Sequence, residues 1–446
     1  MMEEKTYFGS LYDQVAKYEI KAECLEPLHV GSSEGDRSEV LIHPVLGQPF
    51  LQATGIAGAF RDFFSNDNKL QNKMFGVLDG DDIAQSKVRF TDGFFEKGNV
   101  YTELRPRVRI DRKTGTCQSN SMNGGTAESG QKFEMEVVSS GSVFGFSIYI
   151  FEKKNKEEYR KNLEQALAAL NSGIIQLGGQ KSNGCGYVRL LSVKKSVYDM
   201  KNEKDRYSWR NEDKAAEEII SNLSDNTDMR THFVLDGNTE GSILVKALSV
   251  REYGDDAPDA ENIRNHKKEY IIPASSIKGV VRNRIEKICK YKNMGDSIVE
   301  DIFGKTGDNE ADGKTGCLRF YDCVIGDTAE NDMAASQKRI HIDKFTGGVM
   351  YQGLFSEKPA GGNVSIRVDV LPSGDDKAKA LVLLALRDIG IGAVPLGGEN
   401  SIGRGYIAGD KMHVSDGNND RINIDFSDDS VSGDNGKIKE YLSALQ

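Results

Sequence analysis

Five landmarks occur twice in this chain, in the same order, and that duplication limits its fold more than any other feature. The first is a turn-plus-helix segment, PFLQATGIAGAFRDFF (49–64) against EYIIPASSIKGVVRNRI (269–285). Phe75-Gly76 answers to Phe303-Gly304, and KVRFTDG (87–93) to CLRFYDC (317–323). VRIDRKTG (108–115) pairs with RIHIDKFTG (339–347), and LGGQKSNGCGYV (177–188) with LGGENSIGRGYI (396–407). Offsets between matched residues stay between 219 and 232, the drift that loop insertions produce. Convergent turn chemistry explains a single glycine match but not five in register.

A chain of 446 residues fits two domains better than one. The landmarks give a first module over 1–194, a polar linker over 195–230, a second module over 231–413 and an acidic tail over 414–446. Each copy opens with an alternating apolar segment, at 18–30 and at 241–250, which predicts a half-buried strand. A helix follows; in the second copy Pro273 presets its start, Ser275 and Ser276 are candidate caps, and Ile277, Val280, Val281 and Ile285 form its apolar face. Amphipathic helices are predicted over 157–170 and 375–390, and a short one around Glu212–Leu223 in the linker, which holds the only tryptophan, Trp209. The order strand–helix–strands–hairpin–strand–helix–Gly loop–strand is an α+β layout with helices on one face of an antiparallel sheet.

Net charge is −10, but a sum says nothing about distribution: from Val414 onward seven acids face three bases. Six scattered cysteines without a CxxC pair read as reduced thiols of a cytoplasmic protein, and the six histidines lack metal-ligand spacing. The N-terminus has no signal-peptide pattern and no apolar run is long enough to span a membrane.

Three features carry chemistry. In the repeated Gly loop, Gly178, Gly179, Gly184 and Gly186, with Gly397, Gly398, Gly403 and Gly405, permit positive φ and a close backbone approach; exposed N–H groups there would cradle phosphate, or the loop is a tight helix-to-strand turn. No helix follows it, so it is not a dinucleotide fingerprint. Arg105, Arg107 and Arg109 alternate, which on a strand puts all three on one face, and Arg112 and Lys113 extend the patch; Lys338, Arg339, His341 and Lys344 are the second copy's bases there. A solvated hairpin is the plainer reading. Lys278 and Arg282 stand four apart near a helix N-terminus, a place that attracts anions; the first copy keeps Arg61 but has Ala57 at the lysine position.

IIPASSIKGVVR, FGKTG…GCLRFYD, RIHIDKFTGG…LFSEKPA and PLGGENSIGRGY resemble the motif series of the RAMP superfamily, and within it the Csm/Cmr-type backbone subunits of type III CRISPR effector complexes. The likeness covers roughly 18–190 and 241–408 and is stronger in the second copy. It implies two tandem ferredoxin/RRM-like modules, each with a β-hairpin thumb that kinks a crRNA–target duplex, as in fused III-D-like subunits. The implied partners are crRNA, target RNA and other effector subunits, with no membrane. In cleaving members an Asp in the loop after the first strand supports metal-dependent cutting of target RNA. Residue by residue that is Asp259, three before Asn262-Ile263-Arg264-Asn265; in the first copy Asp36 lies one residue off register and Glu39 is a weaker substitute. Asp259 and Asp36 are thus candidate catalytic residues and ligands for Mg²⁺ or Mn²⁺. Two alternatives stay open: a structural subunit that does not cleave, and a precursor-crRNA processing endoribonuclease. The latter has a single Gly-rich loop, whereas here the loop occurs twice.

Overall fold

In the computed structural model, described over residues 12–31, 39–79, 82–108, 110, 132–153, 158–223, 229–247, 258–295, 297–305, 313–416, 419–428 and 430–445, the first repeat opens with β1 (Gln14–Cys24). Helix α1 (Ala53–Phe63) follows, then β2 (Val88–Phe90), the paired strands β3 (Thr102–Val108) and β4 (Lys132–Val138), β5 (Val143–Glu152), α2 (Glu158–Asn171) and β6 (Val188–Asp199). Strand β1 is central: Tyr18 stands opposite Ile148 on β5 and Lys195 on β6, both antiparallel, and β2 pairs with the far edge of β5. The sheet order is therefore β6–β1–β5–β2.

Alternation explains the layering. Phe144, Phe146, Ile148 and Ile150 on β5 all point to one buried face, where they meet Ile56 and Phe60 of α1 and Leu163, Ala166, Leu167 and Leu170 of α2. Spacings of three and four put that α2 stripe on one side, and each large aliphatic side chain so buried contributes about 1.5–3 kcal/mol. The helix expected over 157–170 is thus present.

The stretch expected as a polar linker is largely regular. Strand β6 runs on to Asp199, and the helix lies at α3 (Glu203–Asn211), not around 212–223. The Asn202 side chain caps α3 by accepting from Lys204 N–H at 2.9 Å. Trp209 sits edge-on to Tyr149 and Tyr198, with centroids 5.7 and 5.1 Å apart, so α3 lies against the outer face of the sheet. The strand β7 (Glu217–Glu218) then pairs with β6.

The second repeat follows the same plan. It contains β8 (Thr231–Glu240), β9 (Ala260–Glu261), α4 (Ala274–Tyr291), β10 (Leu318–Phe320), the hairpin β11 (Gln337–Ile342) and β12 (Val349–Lys358), β13 (Asn363–Val370), α5 (Asp376–Gly390) and β14 (Tyr406–Asp416). Its sheet order is β14–β8–β13–β10, with Phe233 opposite Val368 and Val414. The opening strand is 231–240 rather than 241–250, just as the first is 14–24 rather than 18–30. Strand β1 carries a bulge against β6, at Lys21/Ala22, and β8 one against β14, at Asp236/Gly237. The supposed tail is structural too: β15 (Asn419–Asp425) and β16 (Ser430–Gly433) extend the sheet, and α6 (Asn435–Ser443) puts Tyr441 into the core.

On the other face of this sheet the buried Asp369 carboxylate accepts hydrogen bonds from Tyr321 O–H (2.6 Å) and the Arg367 guanidinium (2.9 Å), with His232 Nδ1 at 2.8 Å. Burial works against its charged form, yet His232 and Arg367 hold the carboxyl down at about 2.

The chain divides into two compact units. One takes Met1–Glu103, Glu136–Lys181 and Cys185–Asp228; the other takes Leu104–Met135, Ser182–Gly184 and Met229–Gln446. Among the described residues five cysteines are free and buried, and no helix is long and apolar enough to cross a membrane.

Candidate nucleic-acid interface

Both first helices begin the same way. The Asp92 carboxylate accepts from Ala53 N–H at 2.7 Å, and Asp322 accepts from Ala274 N–H at 2.8 Å. That is why the third landmark ends in an acid: it satisfies an orphan donor of the helix and complements its dipole. Ser275 and Ser276 lie in the first turn of α4, behind the cap position Pro273, so capping falls to Asp322 instead. A carboxylate already faces this terminus, which weakens the expected anion attraction of its N–H groups.

The basic residues divide accordingly. Arg105 is buried, and its guanidinium pairs with Asp322 at 2.8 Å rather than lining an exposed stripe. Arg107 is half-buried, and Arg109, Arg112 and Lys113 lie outside the described residues. Lys278 donates to the Ser182 hydroxyl at 2.8 Å. Burial, and then the like charges of Arg282, Arg319 and Arg107, push its amine down to about 8. Arg282 reaches Glu286 at 3.2 Å, and Arg61 holds the matching place on α1, half-buried. Arg319, the middle residue of β10, is not among the residues that the sequence pattern singles out; its strand lies against α4, which brings it into this group.

The Gly loops turn against their own chain. Gly179 N–H donates to the His29 carbonyl and Gly398 N–H to the Leu244 carbonyl, both at 2.8 Å. Gly186 N–H donates to Pro27 and Gly405 N–H to Ser242, again both at 2.8 Å. These donors are consumed internally, so they do not form the exposed cradle that the sequence suggests. At Gly186 and Gly405, φ is +91° and +86°, and a Cβ would collide with the carbonyl of Leu177 or Leu396. Gly178 and Gly397 meet the His29 and Leu244 carbonyls in the same way. Gly184 packs against Ala274 and Phe320, whereas Gly403 faces open space.

The hairpin β11–β12 is the most exposed apolar feature described. Its turn is built on Asp343, whose carboxylate accepts from Phe345 N–H (2.9 Å) and Thr346 N–H (2.7 Å), bonds that lower its pKa. Lys344 is exposed there, Phe345 is 99% exposed and Tyr351 93%, flanked by Ile340, Ile342, Met350 and Leu354. Such a patch needs a covering partner. The apolar residues around a Thr-Gly-Gly turn were the available sequence signal, and reading only the charges missed them.

Asp259 is exposed at the base of this hairpin. Its Oδ2 accepts from Ser356 N–H at 2.7 Å and lies 3.3 Å from the Ser356 hydroxyl, while Asp259 N–H donates to that hydroxyl at 3.2 Å. Just beyond, Ala260 pairs with Glu357 in the short parallel ladder of β9 with β12. Asp36 lies outside the described residues. Asn262 and Val40 hold equivalent places, bridging Lys246 and Gly31 respectively, which supports the register that singled out Asp259. Among the described residues no three His, Cys, Asp or Glu side chains gather as metal ligands.

Behind the hairpin lies a charged network. Arg404 reaches Glu357 at 2.8 Å, Glu399 at 2.5 Å and the Gln337 side-chain oxygen at 2.6 Å. Arg339 contacts the same two carboxylates at 2.9 and 3.0 Å, and Lys246 lies 3.4 and 3.0 Å from them. Burial would raise the Glu357 pKa, but hydrogen bonding with Glu399, Arg339 and Arg404 brings it down to about 2.

A family model described as the RAMP superfamily matches residues 21–189 and 253–408, well over half the chain. No curated protein matches. Among solved structures the chain is similar to one from the cryo-EM structure of the Type III-B Cmr-beta bound to cognate target RNA. Identity is 15% and the TM-score 0.33, over 42% of this chain and 62% of that one, so less than two thirds of that chain is spanned.

Proposed function

Because the chain belongs to the RAMP superfamily, with both repeats inside the matched regions, we propose that it is a crRNA-binding backbone subunit of a type III CRISPR effector complex that grips the crRNA–target duplex and cuts target RNA at Asp259. The observation that carries this reading is the hairpin itself: an exposed apolar tip on two paired strands, with a carboxylate tethered at its base. Each repeat's βαββαβ path, with strand order fourth–first–third–second among these strands, supports a ferredoxin/RRM-like reading, which suits RNA.

In this reading β11–β12 is the thumb. Phe345 and its apolar neighbours displace a base pair, and the nucleotide beside it loses its helical geometry. The cations grouped around Lys278 and Arg282 hold backbone phosphates, giving strong salt dependence and little sequence preference, because base pairing with the guide reads the sequence. The carboxylate of Asp259 takes the proton from the 2′-hydroxyl, whose oxygen attacks the adjacent phosphorus as the bond to the 5′-oxygen breaks and that oxygen takes a proton from water. A 2′,3′-cyclic phosphate and a 5′-hydroxyl result. A Mg²⁺ or Mn²⁺ ion arriving with the phosphates, and held on the protein side by Asp259, would neutralise charge on the phosphate.

The Ser356 tether also favours a second reading, a structural subunit in which Asp259 only ties the loop to the hairpin. Target RNA supplied to the assembled complex separates the two. Asp259→Ala should remove one cleavage product by a factor on the order of 10²–10⁴, with target affinity unchanged and activity dependent on added Mg²⁺ or Mn²⁺. The same change at Asp36 tests the first repeat. If every product survives both substitutions, cleavage belongs elsewhere.

A further inference from the structure

The Asp259 carboxylate is hung on β12 by a main-chain N–H, so its position is only as fixed as β12 itself. Side chains alternate along that strand: Ser356 is tied to Asp259, while its neighbours Phe355 and Glu357 line the cavity behind the hairpin. We propose that Glu357 and Arg404 are positioning residues, which with Arg339, Glu399 and Lys246 bolt β12 to the second Gly-rich loop and so hold the Asp259 carboxylate in place. The inference rests on the reading of Asp259 as the cleaving group.

Burial and connectivity support it. Glu357 is 1% exposed and Arg404 4%. A charge taken out of water to this degree is tolerated only while its partners stay in hydrogen-bonding range, so the pair restricts the strand to one pose. Arg404 starts on the loop, contacts Glu399 beside it, and crosses to Gln337 on β11 and Glu357 on β12. A single guanidinium therefore touches both arms of the hairpin. Arg339, on β11, closes the same circuit from the hairpin side and lies over the Phe355 ring at 5.2 Å. Glu399 holds a left-handed backbone, φ +62°, that turns it toward these cations. Lys246 is half-exposed beside a cavity of about 370 Å³, so water screens it and the inner pair dominates.

The geometry does not need this network for folding alone. The matching bridges Leu28–Val138 and Ile243–Ala360, together with the matched Gly loops, place Gly31, Met135, Gln180 and Cys185 where the second repeat has Lys246, Glu357, Glu399 and Arg404. The same backbone is built there without four of these five charges, Arg107 keeping the place of Arg339 and Gln180 sharing the left-handed turn at φ +58°. What the second repeat adds is therefore a fixed hairpin base, beside the aspartate that is in register.

The test compares Arg404→Met with Arg404→Lys in the full chain, alone and within the assembled complex. Expected for Arg404→Met are faster amide exchange at Ser356 and a single-turnover cleavage rate lower by about 10²-fold, the loss that a 1 Å misplacement causes. Target affinity should stay within about twofold, and Arg404→Lys, which keeps the charge but loses the fork that reaches both strands, should recover only part of the rate. An unchanged rate, a parallel fall of rate and affinity, or a lysine variant as impaired as the methionine one would each overturn the proposal. Should Arg404→Met not fold, Arg339→Met, at a half-buried site on the same carboxylates, takes its place with the same criteria. If the wild-type complex does not cut at all, the cleavage reading fails separately. Exchange then decides the latch: a Ser356 amide equally protected in Arg339→Met and wild type ends it.

Discussion

The two hairpin bases are built on one backbone and held by different forces. In the second repeat Glu357, Glu399, Arg339, Arg404 and Lys246 form an ion network around the buried Glu357–Arg404 pair; in the first, the equivalent places of four of them are taken by Met135, Gln180, Cys185 and Gly31. The difference teaches that duplication preserved what the main chain requires, the helix-capping acids and the loop glycines, and left side-chain locking free to diverge. Apolar burial is tolerant of small displacements, whereas a buried ion pair is costly in any geometry but its own.

The comparison breaks most visibly if charge is removed from one side only. Arg404→Cys leaves Glu357 buried with one guanidinium fewer, and chemical denaturation should register a loss of about 3–5 kcal/mol. Adding Glu357→Met, which copies the first repeat, should recover more than half of that loss, because the uncompensated carboxylate is gone. A double variant as unstable as the sum of its singles would mean that the two bases are not interchangeable solutions.

The loop glycines test the sameness of the backbones. Gly186→Ala and Gly405→Ala should each destabilise by about 3 kcal/mol, since both force a Cβ onto a leucine carbonyl as well as onto a positive φ. Gly403→Ala meets no neighbour and should cost only about 1 kcal/mol, the strain of the backbone alone. A thermal melt of the three variants checks the order; equal losses at Gly403 and Gly405 would remove the clasp as the reason for the glycines.

The effect that depends on pH concerns Lys278, whose counterpart in the first repeat is Ala57. Its folded pKa, about 8, lies below the ordinary lysine value of 10.5, so between these values the unfolded chain binds more protons. Stability should therefore rise with pH across that window, by no more than about 1.4 kcal/mol per unit, and Lys278→Met should flatten the rise. A stability curve unchanged by that substitution would take Lys278 out of the cationic group. Phosphate placed there would restore the charge, so RNA should bind with uptake of a proton above pH 8 or so.

Much of this was legible in the linear chain, and the misses share a cause. The helices at 158–171 and 376–390 follow from their apolar stripes, and the repeat follows from ordered landmarks. Asp92 and Asp322 were visible as a recurring acid, but the helix each one caps starts 39 or 48 residues earlier. Arg105 reads as one of an exposed stripe because alternation gives a face, not what covers it. Trp209 and α3 read as linker because the stretch is polar, although Trp209 packs edge-on against Tyr198 and against Tyr149 of β5.

By itself, then, the sequence determined that one α+β unit is built twice and that a glycine loop closes each copy. Those are properties of period and turn chemistry, which act over a few residues. Only the tertiary structure decided that the glycines serve the chain's own carbonyls, that Arg105 answers Asp322, and that the two copies brace their hairpins differently. Those outcomes depend on which groups are desolvated together, and Arg404 and Glu357, 47 residues apart, meet only once the sheet has formed.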